Sequence, residues 1–187
     1  MVYSRQVIIG IKMKSLIAAA LFVGFALAHY DRAFSAPTDP WVALSFLEGT
    51  WDAHTQGGSA KAHSSGAYTF SSELKHHVMV RRTEDGTACT GPASFDCRHN
   101  DVLYVYQDAQ DQPLKAIYFD NEGHVIHYDV STPDSSTAIF ISNASPSGPQ
   151  FQLIYHLKDA VMSGKFQMRM PGQVEWKSYL EWAGAKK

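Results

Sequence analysis

The sequence lacks the marks of a nucleic-acid-binding protein, a zinc protein or a serine hydrolase. Only 18% of its 187 residues are charged, the formal net charge is −2, and Lys and Arg form no block. This pattern disfavours nucleic acid and anionic lipid surfaces as partners. The chain has no Gly-x-Ser-x-Gly motif and no Cys/His spacing typical of zinc sites. We therefore predict no metal ion, and the motifs favour a protein that is not an enzyme.

Cysteine is scarce, since Cys89 and Cys97 are the only two in the sequence. They lie in a stretch rich in small and turn-forming residues, and they form no Cys-x-x-Cys motif. In an oxidising compartment two such thiols are expected to form a disulfide. The chain-entropy estimate for so short a loop is a stabilisation of about 2–3 kcal/mol. A redox or metal-binding role for this pair is the weaker alternative.

Long apolar runs are confined to the N-terminal part of the chain. Three basic residues precede the apolar run 15–28, and Ala26-Leu27-Ala28 is a small-x-small cleavage signal. This order predicts a secretory signal peptide over residues 1–28, because the apolar run is short for a membrane span. The protein would then be periplasmic or extracellular, with no membrane span after processing. An uncleaved anchor remains the alternative.

Two details of this segment stay open. Met13-Lys14 also looks like a natural start of translation, and Ala33-Phe34-Ser35 offers a second cleavage point. We expect residues 29–39 to form a linker and residues 40–184 to form one folded domain.

In the sequence of this domain, short segments with the pattern of β-strands alternate with turn residues. Residues 67–74 alternate in polarity, and Asp120-Asn121-Glu122-Gly123 is a strong hairpin signal. No helical periodicity appears after residue 48, and the turn residues divide the rest of the domain into about ten predicted strands. We predict an all-β fold, a single antiparallel closed barrel with a short N-terminal helix plugging one end, because closure leaves no free sheet edge. A two-sheet β-sandwich is the alternative.

The start of this domain carries the clearest structural signal. A short apolar segment, 39–48, leads into Gly49-Thr50-Trp51. Gly49 allows the backbone to turn sharply into the first strand, and we expect Trp51 to fill the floor of the barrel. An arginine late in the chain, Arg169, is the residue that we expect to lie over the Trp51 ring in a cation–π contact.

The segment from Phe46 to Trp51 resembles the entry motif of lipocalin-like barrels. These barrels include nitrobindin-like proteins and a set of exported bacterial proteins of unknown function. The segments 114–128 and 179–182 are similar to that exported set. The resemblance covers most of residues 40–183 and implies a barrel that holds a small apolar ligand, without implying a reaction.

Haem is the cofactor that this resemblance raises, since nitrobindin-like barrels bind it through one histidine near the C-terminus. The last predicted strand here, 174–183, has no histidine, and His156 lies two strands earlier. This departure disfavours haem, with His156 as the least poor ligand, and we expect no cofactor.

The expected ligand is a small apolar or amphipathic molecule in the lumen. Candidate lumen residues are central positions on apolar strand faces, together with one arginine for a fatty-acid-like head group: Tyr68, Phe70, Arg81, Tyr104, Tyr106, Phe166 and Met168. The sequence leaves open which face of each strand is luminal. One alternative is a barrel enzyme that uses His127 and Asp129 as an acid/base pair. Another is an envelope protein that binds no ligand.

Overall fold

The structure is a computed structural model that describes residues 39–187, except for the side chains of Asp85 and Thr87. The signal peptide predicted for residues 1–28, the start at Met13 and both cleavage points lie outside the described residues. The same holds for the predicted linker as far as residue 38. No helix within residues 39–187 is long and apolar enough to cross a membrane.

A short helical segment precedes ten strands. It consists of an α-helix α1, Pro40–Leu44, and one 3₁₀ turn, Ser45–Leu47. The strands are β1 (Gly49–Gly57), β2 (His63–Glu73), β3 (Val78–Thr90), β4 (Asp101–Tyr106), β5 (Lys115–Asp120), β6 (Val125–Asp134), β7 (Thr137–Ser142), β8 (Gln150–Lys158), β9 (Val161–Arg169) and β10 (Lys177–Ala185). Each strand pairs antiparallel with the next, and β1 pairs with β10 to close the barrel. The predicted closed barrel is confirmed, and the sandwich alternative is wrong.

The helical segment lies at one end of the barrel, which we call the closed end. Asp39 caps α1 by accepting a hydrogen bond from the Trp41 N–H at 3.0 Å, and Pro40 occupies the first turn. Leu44 and Leu47 are fully buried and pack into the core. The Trp51 indole N–H donates to the Leu47 carbonyl at 2.7 Å, and Trp51 is 2% exposed. The predicted plug and the floor tryptophan are therefore confirmed.

The backbone turns into β1 at Gly49, whose φ of +113° is in the region that favours glycine. The cation over the Trp51 ring is Lys186, with its Nζ 5.4 Å from the ring centroid. Arg169 lies over Trp176 instead, 4.5 Å from that ring. The expected contact between Arg169 and Trp51 is wrong because Arg169 ends β9 at the other end of the barrel, which we call the mouth.

Cys89 and Cys97 form the predicted disulfide. It ties the end of β3 to the loop that leads into β4, and this loop lies at the mouth. The bond therefore fixes a segment that the strands themselves leave unpaired, which favours an oxidising environment for the folded protein.

The interior is packed toward the closed end. The largest fully buried side chains there come from several strands and from the plug, and they include Met79, Val105, Phe140 and Met162. Met162 at the start of β9 is fully buried, whereas Met170 just after β9 is 47% exposed. The lumen is thus a filled core in its lower part, and any ligand must be held nearer the mouth.

Candidate functional site

Four interior side chains meet midway up the barrel, and we call them the lumen cluster: Tyr68 on β2, Arg81 on β3, Tyr155 on β8 and Trp182 on β10. The Tyr68 and Tyr155 ring centroids are 5.7 Å apart. The Trp182 ring is 6.5 Å from Tyr68 and 5.9 Å from Tyr155. The Arg81 guanidinium carbon lies 5.0 Å from the Tyr68 ring centroid. Alternation along the strands directs all four side chains inward.

Glycine makes room for one member of this cluster. Gly164 on β9 pairs with both Tyr155 and Trp182 across the sheet. A Cβ atom at position 164 would lie 2.1 Å from Cε2 of the Trp182 indole. The indole therefore occupies the space that a side chain on Gly164 would need, and this contact fixes its position against Tyr155.

Arg81 is held by a buried ion pair with Asp101, the first residue of β4. The Arg81 Nη1 donates to Asp101 Oδ1, and both side chains are less than a tenth exposed. Burial opposes the charged guanidinium, but Asp101 outweighs it, so the pKa of Arg81 is raised. Burial likewise opposes the carboxylate, but Arg81 and His99 hold the pKa of Asp101 below its usual value.

His99 continues this charge network to the mouth. Its Nε2 lies 3.0 Å from the Tyr118 hydroxyl and 3.4 Å from Asp101 Oδ2. Its Nδ1 lies 2.8 Å from Glu122 Oε1. The hydrogen bond to Asp101, helped by Glu122, outweighs partial burial and raises the pKa of His99 to about 9. The imidazolium form therefore predominates at neutral pH.

This shift predicts a pH dependence of folding stability. The pKa of His99 rises from its ordinary 6.5 to about 9 in the folded protein, so its contribution is complete below pH 6.5 and is lost as the pH approaches 9. We expect His99→Gln to flatten the stability profile over this interval in urea unfolding measured at several pH values. His127→Gln, a change on the exposed outer face, is the control. An unchanged profile in His99→Gln would show that the network does not stabilise the fold.

Buried polar atoms of the lumen cluster lack partners. The hydroxyls of Tyr68 and Tyr155, Trp182 Nε1 and Arg81 Nε are all buried without a hydrogen bond. The Trp182 N–H lies toward the Tyr68 hydroxyl, but no bond of normal geometry joins them. Such atoms are rare in folded proteins, and each costs about 1–3 kcal/mol when left unpaired. Burial raises the pKa of Tyr68 to about 12 and also raises that of Tyr155, so both hydroxyls keep their protons.

Partly exposed apolar side chains separate the lumen cluster from solvent at the mouth. Phe166 lies one inward-facing position above Gly164 on β9, and Phe151 stacks on it with ring centroids 5.5 Å apart. Ile126 and Tyr118 on the opposite wall are also only partly buried and pack against the core. The mouth is therefore an apolar, aromatic layer over a polar cluster.

Two surface depressions lie near the mouth, with volumes of ≈ 270 and ≈ 370 Å³. The first is bordered by the ends of β1, β2 and β3, including Cys89, and the second by β3, β4 and β5. Asp101 lines the second, but neither depression reaches a member of the lumen cluster.

The structure divides the predicted lumen residues into two groups. Tyr68, Phe70 and Arg81 are buried in the interior, and Phe166 faces the interior below the mouth. Met168, one inward position further, pairs with Phe151.

Tyr104 and Tyr106 do not face the lumen. On β4 the inward, fully buried residues are Leu103 and Val105, so the two tyrosines point outward. Arg82 lies over the outer Tyr104 ring, 5.8 Å from its centroid. The prediction for these two residues was wrong because both faces of β4 are apolar in sequence, and alternation alone gave no sign of which face is buried.

The acid/base pair of the enzyme alternative also faces outward. His127 and Asp129 are both exposed, and Tyr128 between them is buried in the core. Neither residue lines either of the two surface depressions, and their outward direction removes the interior acid/base site that the enzyme alternative requires. His156 follows the inward-facing Tyr155 and so lies on the outer face of β8.

The chain matches no protein-family model and no curated protein sequence. Its closed ten-stranded antiparallel barrel is compatible with a lipocalin-like fold. What the barrel holds must therefore be argued from its own residues.

Sequence reasoning missed several residues of the site. The sequence analysis did not select Asp101, His99, Tyr155 and Trp182, although Tyr155 and Trp182 lie on apolar strand faces that the sequence reveals.

Within the described residues, His99, Asp120 and Glu122 also bring ligand atoms within 4.8 Å of one another, which is close enough to hold a metal ion. His99 precedes β4, whereas Asp120 ends β5 and Glu122 follows it, so no local spacing could have predicted the set.

Proposed function

We propose that this protein is an exported, lipocalin-like barrel that binds a small amphipathic molecule through the mouth of its lumen. The observation that carries this proposal is the set of four unpaired polar atoms in the lumen cluster. Buried polar groups are nearly always hydrogen-bonded, so a cluster of unpaired ones supports the binding of another molecule at this place.

The packing supports a particular pose. The interior below the lumen cluster is filled by the core, and the layer above it, with Phe151 and Phe166, is apolar and partly exposed. A ligand would place its polar end on the cluster and its apolar part against these rings. The barrel is thus suited to a molecule of modest size rather than to a long chain that extends to the closed end.

Export is the second part of the proposal. The disulfide and the signal-like sequence of residues 1–28 support it. The lipocalin-like assignment is supported by the plugged, closed barrel and by the Gly49-Thr50-Trp51 entry.

Native mass spectrometry of the protein purified from its own host tests ligand binding without assuming a ligand. We expect a species heavier than the mature chain by the mass of one small molecule, and gentle collisional activation should remove that mass. Tyr155→Phe should lower the fraction of this species, because the variant loses one hydrogen-bonding group of the cluster.

The matched control is Tyr104→Phe, which removes a hydroxyl from the outer face. It should keep the wild-type fraction of the heavier species. Only the bare chain mass in the wild-type protein would contradict the proposal and would favour an envelope protein without a ligand.

A further inference from the structure

We propose that the polar group bound in the lumen is a neutral hydrogen-bond acceptor of the carbonyl type, carried on a flat ring system. This inference rests on the proposed function and specifies the class of ligand. It follows from what the lumen cluster can donate, from its charge balance and from the shape of the layer above it.

The unpaired atoms of the cluster are donors. Arg81 Nε–H and Trp182 Nε1–H can only donate. The hydroxyls of Tyr68 and Tyr155 can donate or accept, and both remain protonated at neutral pH. A ligand that presents an acceptor can therefore be bonded by several of these groups, whereas a ligand that only donates would leave the two N–H groups unpaired.

The charge balance argues against an ionised head group. Arg81 is the one cation of the lumen cluster, and Asp101 already neutralises it. Asp101 also lies 3.4 Å from His99, whose other nitrogen is engaged by Glu122. A ligand carboxylate would have to compete with Asp101 for the guanidinium and lose its hydration in the interior. We therefore no longer expect Arg81 to bind a fatty-acid-like head group, as the sequence suggested.

A ligand cation is no better placed. It would meet the Arg81 guanidinium and two N–H donors, and the nearest carboxylate, Asp101, is already shared between Arg81 and His99. Since both signs of charge are disfavoured, a neutral acceptor fits the cluster best.

The aromatic side chains near the mouth favour a flat ligand. Phe151 and Phe166 stack nearly parallel, with 14° between their planes, and both are partly exposed near the mouth. The Trp182 and Tyr155 rings form the adjacent surface. An aromatic or conjugated ring can pack against these faces while its acceptor points down toward the cluster.

Three matched naphthalenes test this inference: 2-acetylnaphthalene with a neutral carbonyl, 2-ethylnaphthalene without an acceptor, and 2-naphthoate with a charged acceptor. Binding to the full protein is measured by equilibrium dialysis at pH 7. We expect the ketone to bind about tenfold more tightly than either of the other two, the equivalent of one well-made hydrogen bond.

Variants test whether the ketone carbonyl binds at the lumen cluster. Tyr155→Phe should weaken binding of the ketone about tenfold and leave binding of the hydrocarbon unchanged. It should not lower the stability of the ligand-free protein, since the hydroxyl it removes is unpaired. Tyr104→Phe on the outer face should change neither affinity.

The outcomes separate the two proposals. If none of the three molecules binds, this inference is wrong, whereas the proposed function is decided by the native mass measurement described above. If the hydrocarbon or the carboxylate binds as tightly as the ketone, the lumen is a binding site but the neutral-acceptor assignment is wrong. An unchanged ketone affinity in Tyr155→Phe would also overturn the assignment, because the carbonyl would then lie elsewhere.

Discussion

Replacing Asp101 with Asn is expected to destabilise the barrel by about 3–5 kcal/mol, because it leaves the buried Arg81 guanidinium without its counter-charge. Both side chains of this pair are less than a tenth exposed, so water compensates little for the loss of the carboxylate's charge. The change also removes the anion that faces His99. Urea unfolding of the variant and the wild-type protein at pH 7 measures the difference.

Two further variants make this test specific. Glu73→Gln breaks the exposed Glu73–Arg82 pair, whose side chains are about half exposed, and should change stability by less than about 1 kcal/mol. The double variant Arg81→Met/Asp101→Leu removes both buried charges and should recover much of the stability lost by Asp101→Asn. Equal small effects of Asp101→Asn and Glu73→Gln would mean that the interior pair is hydrated in solution.

Gly184→Ala is expected to open the seam between β1 and β10. A Cβ atom at position 184 would lie 2.0 Å from the Asp52 carbonyl oxygen, a backbone atom of the neighbouring strand. Backbone cannot move aside as a flexible side chain can, so the strands must separate locally. We expect a loss of about 3 kcal/mol, at the upper end of the usual cost of overpacking, measured by thermal unfolding.

Gly57→Ala is the matched control on the same seam. Gly57 pairs with Glu181 of β10, and a Cβ atom there would meet nothing within 4 Å. Its effect should stay within about 0.5 kcal/mol, as for an ordinary surface substitution. Limited proteolysis should cut the C-terminal strand faster in Gly184→Ala only. Equal behaviour of the two variants would argue against the β1–β10 pairing.

The closed barrel could be predicted from the sequence because its signals are local. Period-2 alternation and turn residues such as Asp120-Asn121-Glu122-Gly123 mark the strands and their connections, and neither needs knowledge of distant residues. The helical plug could also be predicted, since the apolar segment before Gly49 and the aromatic residue Trp51 lie close together in the sequence.

The lumen could be predicted only in part because alternation gives two faces without saying which is inside. On β2 the other face is polar, and Tyr68 and Phe70 do lie in the interior, while their role in ligand binding stays a prediction. On β4, Leu103 and Val105 alternate with Tyr104 and Tyr106, and all four are apolar or aromatic. Only the closure of the whole sheet decides which pair is buried.

The charge network was beyond the reach of sequence reasoning. Arg81 and Asp101 are separated by 20 positions and by the disulfide loop, and His99 is brought to them by the path of that loop. No sequence motif of fixed spacing predicts that these three side chains come together. Tyr155 and Trp182 meet across β9, where both pair with Gly164, but their contact with Tyr68 requires β10 to return to β1.

The indole N–H resonances in a ¹⁵N-edited NMR spectrum test most directly whether the lumen donors bind an acceptor. The N–H groups of Trp41 and Trp51 already donate to Gln107 and Leu47, whereas that of Trp182 makes no hydrogen bond of normal geometry. With Trp182→Phe to assign the signal, 2-acetylnaphthalene should move the Trp182 resonance downfield and leave that of Trp51 in place. A ketone that binds without moving the Trp182 resonance, or that moves only the signal of Trp176 near the mouth, would contradict binding at the lumen cluster.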